Sequence, residues 1–269
     1  MDDSFTSERL HDVLGERPFR FFEQVTSTQD VAYEWAMTEP TLPGRQPGDR
    51  HAVVIAEQQI AGRGRQGRVW VSPPQSSIMA SVILKPALPP EHLPRVTMLG
   101  ALAVADVLRP LLGEALSLKW PNDVLIRGKK VCGILAESTW IGDQLAAVIL
   151  GIGLNVRLAS ETQSLIAGAT SLEAELGRPV NRLDLLRSLL DRVDNWAALA
   201  GEPLLLDTWR ASLSTLGKRV RVYTAPHNVQ SPYYTGTAEA VDDGGALLVR
   251  LDSGEQRRVI AADVGLDEE

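Results

Sequence analysis

Three glycines and three arginines share one short stretch, Gly62, Arg63, Gly64, Arg65, Gln66, Gly67 and Arg68. Glycine tolerates positive φ and lets a backbone curl around a ligand. Guanidinium groups are planar, permanently charged donors that match carboxylates and phosphates. Further on, Lys119, Trp120, Pro121, Asn122 and Asp123 precede Lys129, Lys130 and Gly133. An Asn/Asp pair suits a magnesium–nucleotide site, because magnesium takes oxygen ligands and keeps waters. Lys130, at the start of the next strand, would meet a carboxylate or carbonyl in the same cleft. Gly151, Ile152, Gly153, Leu154 and Asn155 close an apolar run. Two glycines there admit a ligand to the backbone, and Asn155 offers a donor and an acceptor. Thr26, Ser27, Thr28 and Gln29 head a helical pattern, whose free amides suit a polar ligand.

Each of these features also has a bland explanation. The first stretch reads equally as a mobile basic loop or an arginine–glycine segment for nucleic acid. Such segments repeat within disordered tails, whereas this one is single and lies between two strands, which favours a ligand loop. Pro121, Asn122 and Asp123 alone are a turn. Residues 151–155 alone are a bulged strand end, and they lack the third glycine of a dinucleotide fingerprint. Helix capping accounts for Ser27 or Thr28 without a ligand.

Composition narrows the classes. The chain has 269 residues, 44% apolar and 23% charged, which fits one large domain or a large one with a small appendage. No run approaches the roughly 18 apolar residues of a membrane span. Residues 1–9 are acidic and polar, unlike a signal peptide, so a cytoplasmic protein is expected. The net charge of −7 disfavours nucleic acid as a partner. The only cysteine, Cys132, excludes an internal disulfide and cysteine-cluster metal sites, and its apolar neighbours suit a buried hydrophobe. His11, His51, His92 and His227 have neither zinc spacing nor a triad pattern.

The elements that must position these residues follow from periodicity. Strands are predicted over 20–25, 51–56, 77–84, 116–120, 124–127, 131–137 and 144–154. Helices are predicted over 27–37, 94–112, 181–200 and 204–213, the second from Val96, Leu99, Ala103, Val107 and Leu111 at helical spacing. Residues 42–49, with two prolines and two glycines, read as a loop. After about residue 214 the texture changes to short strands, 218–224, 235–241, 246–251 and 256–260, separated by turn signals. This predicts a small β-barrel appended to a larger mixed domain, dividing the chain into 1–214 and 215–269.

Taken in this order and spacing, the four pieces closely resemble biotin protein ligases over about residues 20–155. The tail is compatible with that family. The resemblance implies an α+β fold: a mixed-sheet catalytic domain of the biotin/lipoate ligase type with a small SH3-like β-barrel at its C-terminus. It also implies ATP-dependent activation of biotin to biotinyl-AMP, with release of pyrophosphate, and transfer to a lysine of a biotin carboxyl carrier protein, with release of AMP. Residue by residue, it implies biotin contacts at Ser27, Thr28, Gln29, Gln59, Arg63, Gly64, Arg65, Lys130 and Gly133. It implies nucleotide contacts at Arg63, Arg65, Arg68, Trp70, Asn122, Asp123 and Asn155, with magnesium at Asn122 and Asp123. Arg65, Lys130 and Asp123 are the expected catalytic groups, Asp123 acting on the acceptor lysine or on magnesium alone. No tightly bound prosthetic group is implied, and either a monomer or a homodimer is compatible.

Two departures stand out. Some members carry an N-terminal DNA-binding domain, but only about 20 residues precede the first strand here, so repression of transcription is not expected. The family often has Asn after Ser-Thr, where this chain has Gln29, one carbon longer. The chemical obstacle is the approach of two anions, which at about 4 Å repel by roughly 4 kcal/mol at an effective dielectric near 20. Arg63, Arg65, Arg68 and Lys130 are the right kind and number of groups to offset it. Lipoate–protein ligation is the nearest alternative, and a non-catalytic biotin sensor the alternative of another class.

Overall fold

The computed structural model describes residues 3–39, 42, 50–159, 168–224 and 231–267. The loop expected over 42–49 lies outside the described residues apart from Leu42, as does His227. Seven strands form the larger sheet: β1 (Phe19–Val25), β2 (Val53–Gln59), β3 (Ser77–Leu84), β4 (Leu116–Lys119), β5 (Asp123–Ile126), β6 (Lys129–Ile141) and β7 (Gln144–Asn155). Their order is β1-β2-β3-β7-β6-β5-β4. Only β1 and β2 run parallel; the other pairings are antiparallel. Helices α1 (Ser7–Leu14), α2 (Thr28–Thr38), α3 (Arg95–Leu112), α4 (Leu172–Leu176), α5 (Arg182–Ala198) and α6 (Pro203–Ser212) accompany it.

Strand alternation sorts the side chains into two layers. Ile78, Ala80, Val82 and Leu84 of β3 and Val148, Leu150, Ile152 and Leu154 of β7 join the main core with Val96, Leu99 and Ala103 of α3 and Leu186 and Leu189 of α5. The opposite face carries Val54, Ile83, Ala147 and Ile149 against Ala32, Trp35 and Ala36 of α2. Helix α2 covers only part of that second face. Beyond its first turn, Met79 and Ser81 of β3 and Gly151, Gly153 and Asn155 of β7 continue the same face uncovered by the helix. A cavity lies there.

The expected elements are present with shifted ends. Strand β2 runs on to Gln59, so that residue is held by a ladder rather than a loop. Strand β6 extends to Ile141 because β7 supplies partners along its whole length. Unexpected helix α1 is capped by Thr6, which accepts from the Arg9 amide, and buries Leu10 and Leu14. The span Pro90–Ala115, containing α3, is long and apolar enough to cross a membrane, against the expectation that no segment would be. Val96, Leu99 and Ala103 are nonetheless wholly buried. A helix enclosed by a sheet on one side and helices on the other is apolar around most of its surface.

The second sheet consists of β8 (Arg219–Tyr223), β9 (Tyr233–Val241), β10 (Leu247–Arg250), β11 (Gln256–Val259) and β12 (Asp263–Leu266), in the order β11-β10-β9-β8-β12. This is the expected small β unit, with no ladder joining its two edge strands into a closed barrel among the described residues. Its Asp242–Gly245 turn docks on the larger unit. The indole of Trp120, 1% exposed, donates to the Gly245 carbonyl at 2.9 Å. Arg210 donates to the Val241 carbonyl at 3.0 Å and pairs with Asp243.

Gly245 has φ +84°, and a Cβ there would stand 2.2 Å from Cε of Met98. Met98 can swing away, but the left-handed backbone strain cannot be relieved. Gly245→Ala is therefore expected to cost about 1–2 kcal/mol, read as a lower urea midpoint with an unchanged slope.

Candidate active site

A cavity of about 360 Å³ opens on the uncovered part of the second sheet face, between the first turn of α2 and the Gly62–Arg68 loop. The loop is a small hairpin. Arg63 bridges Val69, the Gly64 amide donates to the Arg68 carbonyl at 2.7 Å, and the Trp70 amide donates to the Gly62 carbonyl at 2.9 Å. Every expected site residue lines the cavity except Asp123, which contacts one that does.

One end is rich in neutral hydrogen-bonding groups. Ser27 caps α2, its side chain accepting from the Gln29 amide. Gln59 Oε1 accepts from the Thr28 amide at 2.8 Å and from the Thr28 hydroxyl at 3.0 Å. The Thr28 and Ser81 hydroxyls lie 2.8 Å apart. The Thr28, Gln59 and Ser81 groups satisfy one another, so a small amide-like head can exchange for those bonds without stranding these groups.

The middle is a floor without side chains. Across the ladders Lys119 faces Asp123, Asp123 faces Gly133, Gly133 faces Gly153 and Gly153 faces Met79. Lateral partners share a sheet face, so the two glycines leave a trough between a charged flank and an apolar one. The Trp70 indole lies in this trough: a Cβ on Gly153 would stand 2.6 Å from the ring, and one on Gly133 2.9 Å. The indole Nε1 is buried with no hydrogen-bond partner in the structure.

The other end is cationic. Lys130 Nζ lies 2.6 Å from Asp123 Oδ1 and 5.9 Å over the Trp70 ring. Arg65 donates to Asn122 Oδ1 at 3.0 Å. Arg68 pairs at 2.7 Å with Asp263 of β12, so the second sheet reaches the loop. Burial holds the Lys119 ammonium and the Arg65 guanidinium below their usual pKa values, with nearby cations adding to the effect and Asp123 and Asp263 opposing it. An arriving anion would meet positive charge that is already desolvated and therefore favourable to pair with.

The expected magnesium ligands are engaged otherwise. Asn122 Oδ1 accepts from Arg65, its Nδ2 donates to the Ile134 carbonyl at 2.8 Å, and Asp123 faces Lys130. No group of three His, Cys, Asp or Glu side chains that could hold a metal exists among the described residues. Hard cations need several oxygens, and these two side chains do not fit a protein-built magnesium seat. Asn155 is likewise occupied: Nδ2 donates to the Thr170 carbonyl at 3.1 Å. Arg63 bridges two carboxylates, Asp30 and Glu137.

Periodicity did not single out Ser81, Glu137, Asp30 or Asp263. Ser81 and Ser77 are the two hydroxyls of an otherwise apolar strand, a signal that was available. The Asp263 contact is separated from Arg68 by 195 residues and has no local signature. Cys132 is fully buried on the core face; burial pushes its thiol pKa up, far from a nucleophile's.

Residues 22–155 match the biotin/lipoate A/B protein ligase family, and residues 215–266 match the biotin protein ligase C-terminal domain. The biotin–[acetyl-CoA-carboxylase] ligase of Paracoccus denitrificans is 35% identical over 213 residues, covering 76% of this chain and 86% of that protein. The bifunctional ligase/repressor BirA of Bacillus subtilis is 31% identical over 91% of this chain and 73% of its own length. In fold, the chain is similar to the Aquifex aeolicus biotin protein ligase solved with biotin and ATP, with a TM-score of 0.71 at 24% identity over 93% of this chain and 99% of that one.

Two outcomes follow from the geometry. Gly153→Ala should drive the indole from its trough at a cost of about 1–3 kcal/mol for overpacking. Its tryptophan fluorescence should differ from the parent's, and that difference should vanish in a Trp70→Phe background. Cys132 should resist iodoacetamide in the folded protein and react on unfolding. Its folded pKa is raised, so stability is retained below the unfolded thiol's pKa of about 8.5 and declines above it by up to about 1.4 kcal/mol per pH unit. Urea midpoints measured from pH 7 to 10 should show this decline, and Cys132→Ala should lessen it.

Proposed function

The chain belongs to the biotin/lipoate A/B protein ligase family, and from that premise we propose that it activates biotin with ATP and transfers it to a lysine of a biotin carboxyl carrier protein, such as that of acetyl-CoA carboxylase. One observation carries the reading: a single cavity runs from a hydrogen-bonding end at Thr28, Gln59 and Ser81, past the Trp70 indole on its glycine floor, to a cluster of cations. Biotin has this sequence of chemistry, with a ureido head, an apolar body and a carboxylate tail.

In this reading Thr28, Gln59 and Ser81 exchange their mutual hydrogen bonds for the ureido group. The body of the acid lies against Gly151 and the Trp70 indole. Lys130 and Arg65 hold the carboxylate where it attacks the α-phosphorus of ATP, and the bond to pyrophosphate breaks. Arg68 and Lys119 add positive charge on the nucleotide side. The acceptor amine then attacks the acyl carbon, AMP departs and the amine loses a proton. Asp123, held beside Lys130, is the carboxylate available to position that amine. Most of the acceleration comes from alignment and fixed charge.

ATP enters as its magnesium complex; we assign the metal no protein-built seat and no step. We divide the chain functionally near residue 214, with the second β unit supplying Asp263 to the loop. The ATP requirement suits the cytoplasm, and the net charge of −7 gives no support to a nucleic-acid partner.

The test is mass spectrometry of a carrier domain incubated with the protein, biotin, ATP and magnesium. A gain of one biotinyl group on one lysine is expected, and an unmodified carrier would refute the reading. ATP–pyrophosphate exchange driven by lipoate rather than biotin would favour the lipoate alternative. Arg65→Gly should release the activated acid from the cavity, so that bystander lysines become labelled. Strictly carrier-specific labelling by this variant would count against a retaining role for Arg65.

A further inference from the structure

Glu137 has no role in the scheme above, yet two groups, one from α2 and one from the arginine loop, converge on one of its oxygens. It sits in β6 on the cavity face, opposite Ile149 of β7. Its Oε2 accepts from Gln29 Nε2 at 2.9 Å and from Arg63 Nη2. Arg63 Nη1 lies 3.2 Å from Asp30 Oδ1 in the first turn of α2. One carboxylate oxygen therefore links the ligand loop to the residue that heads the cavity.

The second observation concerns Gln29 itself. The residue is 4% exposed, and its Oε1 is buried without a partner. Donation to Glu137 and, at 3.4 Å, to the Ile149 carbonyl fixes the amide's orientation. The acceptor atom is thereby aimed at the Gly151 side of the cavity, 2.8 Å from where a Cβ on Gly151 would stand. A buried acceptor left unsatisfied is costly and is relieved by a ligand N–H.

The pairs that Arg63 makes are exposed: the side chains of Arg63, Asp30 and Glu137 are 42%, 45% and 41% accessible. Such pairs are weak and screened by salt. A contact of that strength suits a loop that must open to admit an acid and close to retain its activated form.

We infer that Glu137 is a positioning residue that clasps the Gly62–Arg68 loop through Arg63 while holding the Gln29 carboxamide with its acceptor toward the substrate head. Loop closure and recognition of the head group are then one event, because both depend on the same carboxylate oxygen. The inference rests on the ligase reading for the identity of the head group, but the clasp exists without ligand and is measurable without it.

The experiment uses the full chain as Glu137→Gln, Arg63→Met and the double variant, each verified as folded by its thermal midpoint. Amide hydrogen exchange of residues 62–68 without ligand should quicken by about fivefold in Glu137→Gln, the factor one exposed pair supports, and at least as much in Arg63→Met, which also loses the Asp30 pair. The double variant should exchange no faster than Arg63→Met. This exchange in the parent should quicken between 0.05 and 0.5 M NaCl, and by less in Glu137→Gln, where only the Asp30 and Asp263 pairs remain. With biotin and ATP, KM for biotin should rise severalfold in Glu137→Gln with kcat little changed, and Glu137→Asp should recover part of the loss. Unchanged loop exchange in Glu137→Gln, or additive effects in the double variant, would overturn the clasp. A parent protein that formed no adenylate would defeat the ligase reading and leave the loop result to stand or fall separately. A KM unchanged in Glu137→Gln while the loop opens would overturn the link to Gln29.

Discussion

The site depends on keeping like charges together before their counterions arrive. Arg65, Arg68 and Lys130 gather at one end of a partly desolvated cavity with Lys119 close by, and left alone they would repel. Asp123 beside Lys130 and Asp263 beside Arg68 hold the cluster at tolerable potential. The burial that depresses Lys119 and Arg65 also makes their positive charge more effective once a carboxylate and a phosphate enter. A nucleotide and an acid, both anionic, can then meet within one enclosure.

The sheet supplies the rigidity this demands. Lys119, Asp123, Gly133, Gly153 and Met79 form one row across five strands. Charged, empty and apolar positions follow one another at the fixed spacing of neighbouring strands, roughly 5 Å. Around this row the parts differ in freedom. The row is locked by ladders, whereas the hairpin above it is tethered by exposed ion pairs to α2, to β6 through Glu137 and to β12 through Asp263. A fixed floor under a loosely held cover is what retention of a hydrolysable intermediate calls for.

The small β unit is thereby more than an appendage. Its Asp242–Gly245 turn is anchored through Trp120, which follows Lys119 and precedes Pro121 and the Asn122–Asp123 pair, and its last strand meets the arginine loop. Both contacts touch segments that carry chemistry, so the docking of this unit and the set of the cation cluster are mechanically linked.

Much of this was legible in the chain alone. Alternation at Gly151, Ile152, Gly153, Leu154 and Asn155 already separates a small, polar face from an apolar one, because a strand has a period of two. Capping chemistry at Ser27 and helical spacing from Val96 to Leu111 are likewise local rules, and the elements formed where those rules operate. The residue types at Arg65, Arg68 and Lys130 announced an anion site. What the chain alone could not disclose is which groups partner one another. Arg63 with Glu137, Arg68 with Asp263 and Asn122 with Arg65 are separated by 74, 195 and 57 residues. Helix α1 escaped notice because its two buried leucines gain their meaning only from the core they meet. An Asn/Asp pair that reads as a metal seat became a partner for arginine and lysine, since pairing depends on distance in space. Periodicity reports distance along the chain, and only the folded sheet converts the one into the other.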